Sequence, residues 1–432
     1  MTSSSIASVR ARRIWDSRGR PTVEAEVTLG DGTSGRGIAP AGASRGSNEA
    51  IDRRDGGPRL GGYDVQEALG SVRDVIAPAL EGWDAVDQQG VDERLIALDG
   101  TPTKAKLGGN AIVAVSLATL HAAAAHRNLP LWRHLAQDNP VTLPLPEIQI
   151  FGGGAHAGRR IDIQDLMVMV PGARSFAQAL EITAEVYLAA GRLMAERGAL
   201  QGVADEGGWW PAFASNEEAL EMLVRAIEGA GFTPGEEVAI SLDIAASEFG
   251  KGGRYTLGLD RRALDSDGLC ELLLGWCDRF PILSIEDPLA EDDAEGLARF
   301  TRAVGSRIQV IGDDFLVTDG ARVDRAARED TVNAVLVKVN QAGTVSEAAA
   351  ALEAGKAAGF GTIVSARSGE TEDVAIVHMA VGWNARQLKV GSFSRSERMA
   401  KWNEGLRIEE ALGDNMFAGL TGFPASTGHR AG

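Results

Sequence analysis

VLVKVNQAG, residues 335–343, decides how the rest of the chain is read. Val335, Leu336, Val337 and Val339 suit a buried strand of a parallel sheet, and Lys338 interrupts them with a charge that is costly to bury unless it is paired or functional. It reads as a catalytic base, against the plainer possibility of a side chain that snorkels from a strand end. The neighbouring runs favour the base. Before it, IQVIGD ends at Asp313, ILSIED at Glu286 and VAISLD at Asp243; after it, GTIVSARSG carries Ser365, Arg367 and Ser368, and QLKVGSF carries Lys389.

After a first, longer interval these runs recur about every 25 residues, the length of one strand, one helix and two short loops. Two further runs, LPEIQIF from Leu145 and LMVMVPG from Leu166, bring the strands to eight. Eight strands with helices between most of them predict a parallel α/β barrel whose C-terminal strand ends share one mouth. Residues distant in sequence converge there.

At 432 residues, 44% of them hydrophobic, the chain can build more than one core, and two domains are expected. The formal charge of −17 and the absence of a Lys/Arg run argue against a nucleic-acid footprint. An anionic substrate then has to be neutralised locally by basic side chains or metal ions. No stretch has the roughly 18 apolar residues of a membrane span, and MTSSSIASVRARRIW lacks the apolar centre of a signal peptide, so a cytoplasmic location is expected. Cys270 and Cys277, in LCELLLGWC, fall on one helix face without a nearby His and read as packed thiols of a reducing compartment.

Taken from the start, TVEAEVTLG alternates and is followed by an Asp31-Gly32 turn, which predicts a hairpin or meander. PAGASRGSNEA, residues 40–50, has no apolar period and reads as a flexible loop. Residues 63–98 and 107–136 show helical spacing. Strands before helices predict an α+β N-terminal domain, residues 1–138, ahead of a barrel over residues 139–432. That barrel begins atypically: FGGGAHAGRRIDIQD, 151–165, is too short for a crossover helix, and two helical segments, 175–198 and 215–231, follow the second strand. The expected order is ββαα(βα)6.

The chain resembles the enolase family over nearly its whole length. The resemblance lies in DSRGRPTVE (16–24), GASRG (42–46), GGAHAG (153–158), DEGG (205–208), SLDIAASEF (241–249), SIEDP (284–288), GDD (312–314), LVKVNQAGT (336–344), SARSGETED (365–373) and RSERMAKWNEGLRIEEALGDN (395–415). It implies an α/β enolase-type barrel under an α+β cap, two Mg²⁺ ions per site, and reversible dehydration of 2-phosphoglycerate to phosphoenolpyruvate. It also implies a homodimer or higher homo-oligomer.

By resemblance Asp243, Glu286 and Asp313 hold the first metal and face the substrate, an oxygen-ligand set suited to a hard cation. Lys338 is the base, kept neutral enough to accept a proton, and Glu206 is the acid. Lys389 holds the substrate and its developing charge. Arg367 and Ser368 form the phosphate clamp. Ser44 brings in the second Mg²⁺ as its loop closes, Gln164 lies near the substrate carboxylate, and His156 stands at the barrel mouth.

Several positions depart from the family pattern. Ala366 stands where a histidine is usual, Asp165 replaces a glutamate that partners Glu206, and Ala41 replaces a serine. The shorter Asp165 is expected to stretch its shared proton or hydrogen bond with Glu206, and about 1 Å of misplacement can cost about a hundredfold in rate. Trp209 and Trp210 after DEGG read as packing; the sharper possibility is that one indole fills the space left at Ala366. Two other functions fit the same residues less well: an enolase-derived enzyme of specialised metabolism such as a carboxyphosphonoenolpyruvate synthase, and a non-catalytic paralogue, which has no need of the base, acid and clamp.

Overall fold

The computed structural model describes residues 2–200, 202–413, 416–421 and 423. Asp414 and Asn415, the last two residues of the 395–415 stretch, lie outside them. The chain opens with three antiparallel strands, β1 (Ile6–Trp15), β2 (Pro21–Leu29) and β3 (Ser34–Ile38), in that order. Helix Gly109–His126, almost wholly apolar, packs across β2 and β3. Gly35 and Gly37 permit that approach, because a Cβ on either would collide with the helix backbone around Ala118 and Ala122.

The two long helical segments expected here are broken. Residues 63–98 form Gln66–Ser71, a π turn, Ala77–Leu80 and Gln88–Asp99, interrupted at Gly82 in the left-handed region. Residues 107–136 split into Gly109–His126 and Leu131–Ala136. Between those two, Asn128 has φ of 52° and Pro130 lacks the N–H a continuous helix needs.

The rest of the chain forms a closed barrel. Its strands are β4 (Leu145–Gly152), β5 (Asp165–Met169) and β6 (Ala239–Asp243), then, after a small sheet of β7 (Gly250–Lys251), β8 (Arg254–Leu257) and β9 (Arg262–Asp265), β10 (Ile282–Glu286), β11 (Gln309–Gly312), β12 (Ala334–Val337), β13 (Gly361–Ser365) and β14 (Gln387–Ser392). All eight expected strands are present. The small sheet occupies the long interval between Asp243 and Glu286.

The barrel is not fully parallel: β5 runs antiparallel to both β4 and β6. Only a short 3₁₀ turn, Gly154–Ala157, joins β4 to β5, and a parallel return would need a crossover of a dozen or more residues. Two helices, Phe176–Glu196 and Asn216–Gly229, then precede β6, completing the ββαα start. Closure comes from β14 pairing with β4, which sets Lys389 opposite Glu147.

Apolar side chains of the strands face the helices, whereas part of the barrel interior is polar. Glu147, Ser241, Ser284, Gln309 and Gln387 are all buried there. Most of their polar atoms are paired laterally: Ser284 Oγ donates to Gln309 Oε1 at 3.1 Å, Gln309 Nε2 to Gln387 Oε1 at 2.9 Å, and Ser241 Oγ to Glu147 Oε1, while Glu147 Oε2 has no partner. A mouth crowded with charge thus rests on a hydrogen-bonded floor.

Candidate active site

The barrel topology brings the strand-end residues together. Asp243 closes β6 and Glu286 closes β10, paired side by side in register, and Asp313 follows β11. Lys338 follows β12 and starts the short turn Val339–Ala342. Because β5 is reversed, Asp165 and Gln164 reach the same mouth from a strand beginning, and Asp165 pairs with Asp243.

Lys389 Nζ lies 2.7 Å from Glu286 Oε2, 3.0 Å from Asp243 Oδ2 and 3.7 Å from Asp165 Oδ2. Lys338 Nζ contacts Asp313 Oδ2, and Gln341 Nε2 donates to the other oxygen of Asp313 at 2.8 Å. Burial alone would make both lysines release their protons, but Asp313 for Lys338, and Asp243 with Glu286 for Lys389, outweigh it and raise both pKa values. Asp313, lying against Lys338 Nζ, thus favours the charged form of this amine.

Burial drives the Glu286 carboxyl well above its usual range, with Asp243 adding repulsion, and its Oε1 is buried without a hydrogen-bond partner. A hard cation would satisfy that oxygen, so Asp243, Glu286 and Asp313 fit one. Among the described residues, the groups whose ligand atoms fall within 4.8 Å of one another are two other sets, His156 with Asp165 and Glu206, and Asp287 with Asp313 and Asp314. The oxygens of the expected triad contact the two lysine ammonium groups, Lys389 at Asp243 and Glu286 and Lys338 at Asp313. Asp287 is occupied with the backbone, accepting the N–H of Asp313 at 3.0 Å and of Asp314 at 2.8 Å, and burial with the Asp313 charge pushes its pKa up to about 8.

Beside Lys389, the structure corrects the expected pairing of Asp165 with Glu206. No direct hydrogen bond joins them; His156 stands between, with Nδ1 2.9 Å from Asp165 Oδ1 and Nε2 3.7 Å from Glu206 Oε1. Burial opposes charge on the imidazole, yet the two carboxylates raise its pKa to about 9. Asp165, which also accepts from Gln149 Nε2, is held low by His156 despite its burial. Glu206 goes the other way, raised by burial, as a proton donor needs.

Arg367 is nearly inaccessible, and its four Nη hydrogens have four protein acceptors. Nη1 donates to Glu49 Oε2 and Asn340 Oδ1, both at 3.0 Å; Nη2 donates to the Ser44 carbonyl at 3.0 Å and to Glu49 Oε1 at 3.2 Å. Ser368 Oγ accepts the Ala43 N–H at 2.6 Å. From below, the fully buried Arg398 donates to the carbonyls of Arg367 and Val390, at 2.7 and 2.8 Å, and to that of Ser368.

His156, Gln164, Asp165, Glu206, Asp243, Lys338, Arg367, Ser368, Lys389 and Ser44 line one narrow cavity, with Ala366 on its wall. Neither indole fills the space at Ala366. Trp209 stacks on Tyr187, ring centres 4.7 Å apart, and donates to the Tyr187 carbonyl at 2.9 Å, while Trp210 faces Gly158.

Glu49, Arg398 and Glu147 were not anticipated. Glu49 sits in a loop of small residues whose local pattern carries no sign of its partner, and Glu147 is the one acid in an otherwise apolar-looking run.

The chain matches two family models, described as the enolase N-terminal domain over residues 6–135 and the enolase C-terminal TIM barrel domain over residues 140–424. It is 47% identical over 429 residues to an enolase of Acidothermus cellulolyticus, covering 99% of both chains. It is 48% identical over 413 residues to enolase 1 of Desulfitobacterium hafniense, covering 95% of this chain and 94% of the relative.

Proposed function

The chain belongs to the enolase family, and from that premise we infer that it catalyses the reversible dehydration of 2-phosphoglycerate to phosphoenolpyruvate, the hydro-lyase step of glycolysis. The observation that carries the reading is the convergence of two lysines and one proton-retaining carboxyl on one cavity. Lys338 and Lys389 stand among the carboxylates of Asp243, Glu286 and Asp313, and Glu206, a carboxyl disposed to keep its proton, lines the same cavity.

The proton on C2 of the substrate adjoins a carboxylate and is a weak acid. Lys338 Nζ is the group that takes it, and Glu206 delivers a proton to the departing hydroxyl, so base and acid work from opposite faces. Lys389 and Gln164 orient the carboxylate end. Arg367 and Ser368 receive the phosphate, and the loop carrying Ser44 excludes water. His156 and Asp165 share a charge beside Glu206 and hold its carboxyl in place.

Asp243, Glu286 and Asp313 would hold one Mg²⁺, and Ser44 with the phosphate would take part in holding a second. A cation bound there would supply positive charge for the negative charge that develops on the substrate, and Asp313 engaged as its ligand would leave Lys338 Nζ free to accept a proton. The buried, unpartnered Glu286 Oε1 supports this assignment.

Relatives matched along their whole length are enolases, and nothing supports the specialised-metabolism or non-catalytic alternatives. No helix among the described residues is long and apolar enough to cross a membrane. We further propose a cytoplasmic homo-oligomer with its domain boundary near residue 138.

The test is a time course of phosphoenolpyruvate formation from 2-phosphoglycerate with excess Mg²⁺, beside a Lys338→Ala control. Turnover that vanishes in the control is the expected result. Proton exchange at C2 without turnover would transfer the chemistry to another leaving group, and the absence of both turnover and exchange would overturn the reading.

A further inference from the structure

Gln149 stands on β4, fully buried, and its amide is spent at both ends. Nε2 donates to Asp165 Oδ1, the oxygen that also faces His156 Nδ1 at 2.9 Å. Oε1 accepts the N–H of Gly208 at 2.8 Å, two residues from the acid Glu206. One side chain thus joins the carboxylate on β5 to the loop that carries the acid. The fit is close: a Cβ on Gly208 would stand 2.4 Å from Gln149 Oε1 and push the amide off.

The other ties of this loop are made by its main chain. Trp209 N–H donates to the Ile150 carbonyl at 2.8 Å, Asp205 N–H to the His156 carbonyl at 3.0 Å, and Ser392 N–H to the Glu206 carbonyl at 2.9 Å. None of these reaches the Asp165 carboxylate. An aspartate at 165 stops one methylene short of where a glutamate would end, and Gln149 spans the interval. The span needs a donor for the carboxylate and an acceptor for the N–H on one side chain, which an amide has and a carboxylate or a hydrocarbon of equal length lacks.

We propose that Gln149 is a positioning residue for the general acid: it ties the Glu206 loop to Asp165 and makes up the reach that the short Asp165 lacks, so that the side-chain lengths at 149 and 165 are set as a pair. This rests on the reading of Glu206 as the acid of the dehydration. Gln149 does not line the cavity and acts through Asp165 and Gly208.

Because the tie serves Glu206 and not Lys338, the two halves of the reaction come apart when it is cut. In the full-length protein with saturating Mg²⁺, Gln149→Asn is expected to slow phosphoenolpyruvate formation by roughly ten- to a hundredfold with KM little changed. Exchange of the C2 proton of 2-phosphoglycerate into deuterated water is expected to continue within about threefold of the unaltered rate, since the base is untouched. Asp165→Glu alone, which presses its carboxylate into the same amide, is expected to be slow in the same way. The double variant, Gln149→Asn with Asp165→Glu, is expected to recover dehydration to within about threefold of the unaltered protein.

Exchange that persists while dehydration slows is a split that mere loss of structure would not produce. A Gln149→Asn protein that dehydrates at the full rate overturns the proposal, as does exchange that falls in step with dehydration. A double variant no faster than the slower single variant overturns the pairing of lengths. An unaltered protein that makes no phosphoenolpyruvate overturns the reading of the reaction itself, and the role of Gln149 with it.

Discussion

Nδ1 of His156 lies 2.9 Å from Oδ1 of Asp165, and the pair is enclosed almost completely by the barrel mouth. The short aspartate meets an imidazole instead of reaching Glu206.

That pair sets a pH dependence of stability. His156 has a folded pKa of about 9, above the unfolded value near 6.5, so its contribution is complete below about pH 6.5 and is lost as pH rises through about 9. Asp165 is depressed, so its share is present above about pH 4 and fades only in strong acid. Urea unfolding at pH 6.5 and pH 9.5 should differ by on the order of 3 kcal/mol from this source. His156→Gln should flatten that alkaline decline; an unchanged slope would remove the ion pair from the account.

Lys338→Ala should lower kcat by roughly 10²–10⁴-fold while shifting KM less, since the amine is assigned to proton transfer and not to anchoring. Steady-state kinetics with saturating Mg²⁺ separate the two. A variant that mainly raised KM would make Lys338 a binding group.

Chelation should abolish activity, and returning Mg²⁺ should raise the unfolding temperature. At a hundredfold excess over Kd one ion stabilises by about 2.7 kcal/mol. Glu286→Gln, which keeps the shape and removes the charge, should lose most of that rise in calorimetry. If the rise persists, the ion lies elsewhere.

Trp209→Ala should slow turnover by roughly tenfold with little change in KM, because Trp209 and Tyr187 hold the loop of Glu206. Tyr187 Oη donates to the Gly207 carbonyl at 3.0 Å, one residue from the acid. Full activity in the variant would reduce the aromatic stack to packing.

Cys270 and Cys277 should resist a disulfide reagent at pH 8 until the protein unfolds. Both are buried on one helix, and burial pushes Cys277 up to about 12. Spectrophotometric titration in buffer and in urea checks this, and rapid reaction of the native protein would contradict it.

Much of the barrel was legible because six of its eight strands announce themselves twice, by an apolar run and by the polar residue that ends it, as at Asp313 and Lys338. The turn-back at Asp165 was legible from a connection too short for a helix. Helix breaks were not, since apolar spacing continues across Gly82 and Pro130 while the backbone does not. Nor was Glu49, whose partner Arg367 is 318 positions away in the chain. The state of Lys338 depended on Asp313 standing against it in space, which motif matching does not report.

The seam between β14 and β4 has a consequence for synthesis. Ser392 Oγ reaches the carbonyl of Gln149 across 243 positions, so β4 emerges from the ribosome long before the strand that covers its edge. Until then only β5, a near neighbour in the chain, can pair with it, and the other edge stands open as a template for foreign strands. A nascent chain stalled before Gln387 should therefore bind chaperones or aggregate, and release of the last strand should end that exposure in a single cooperative step.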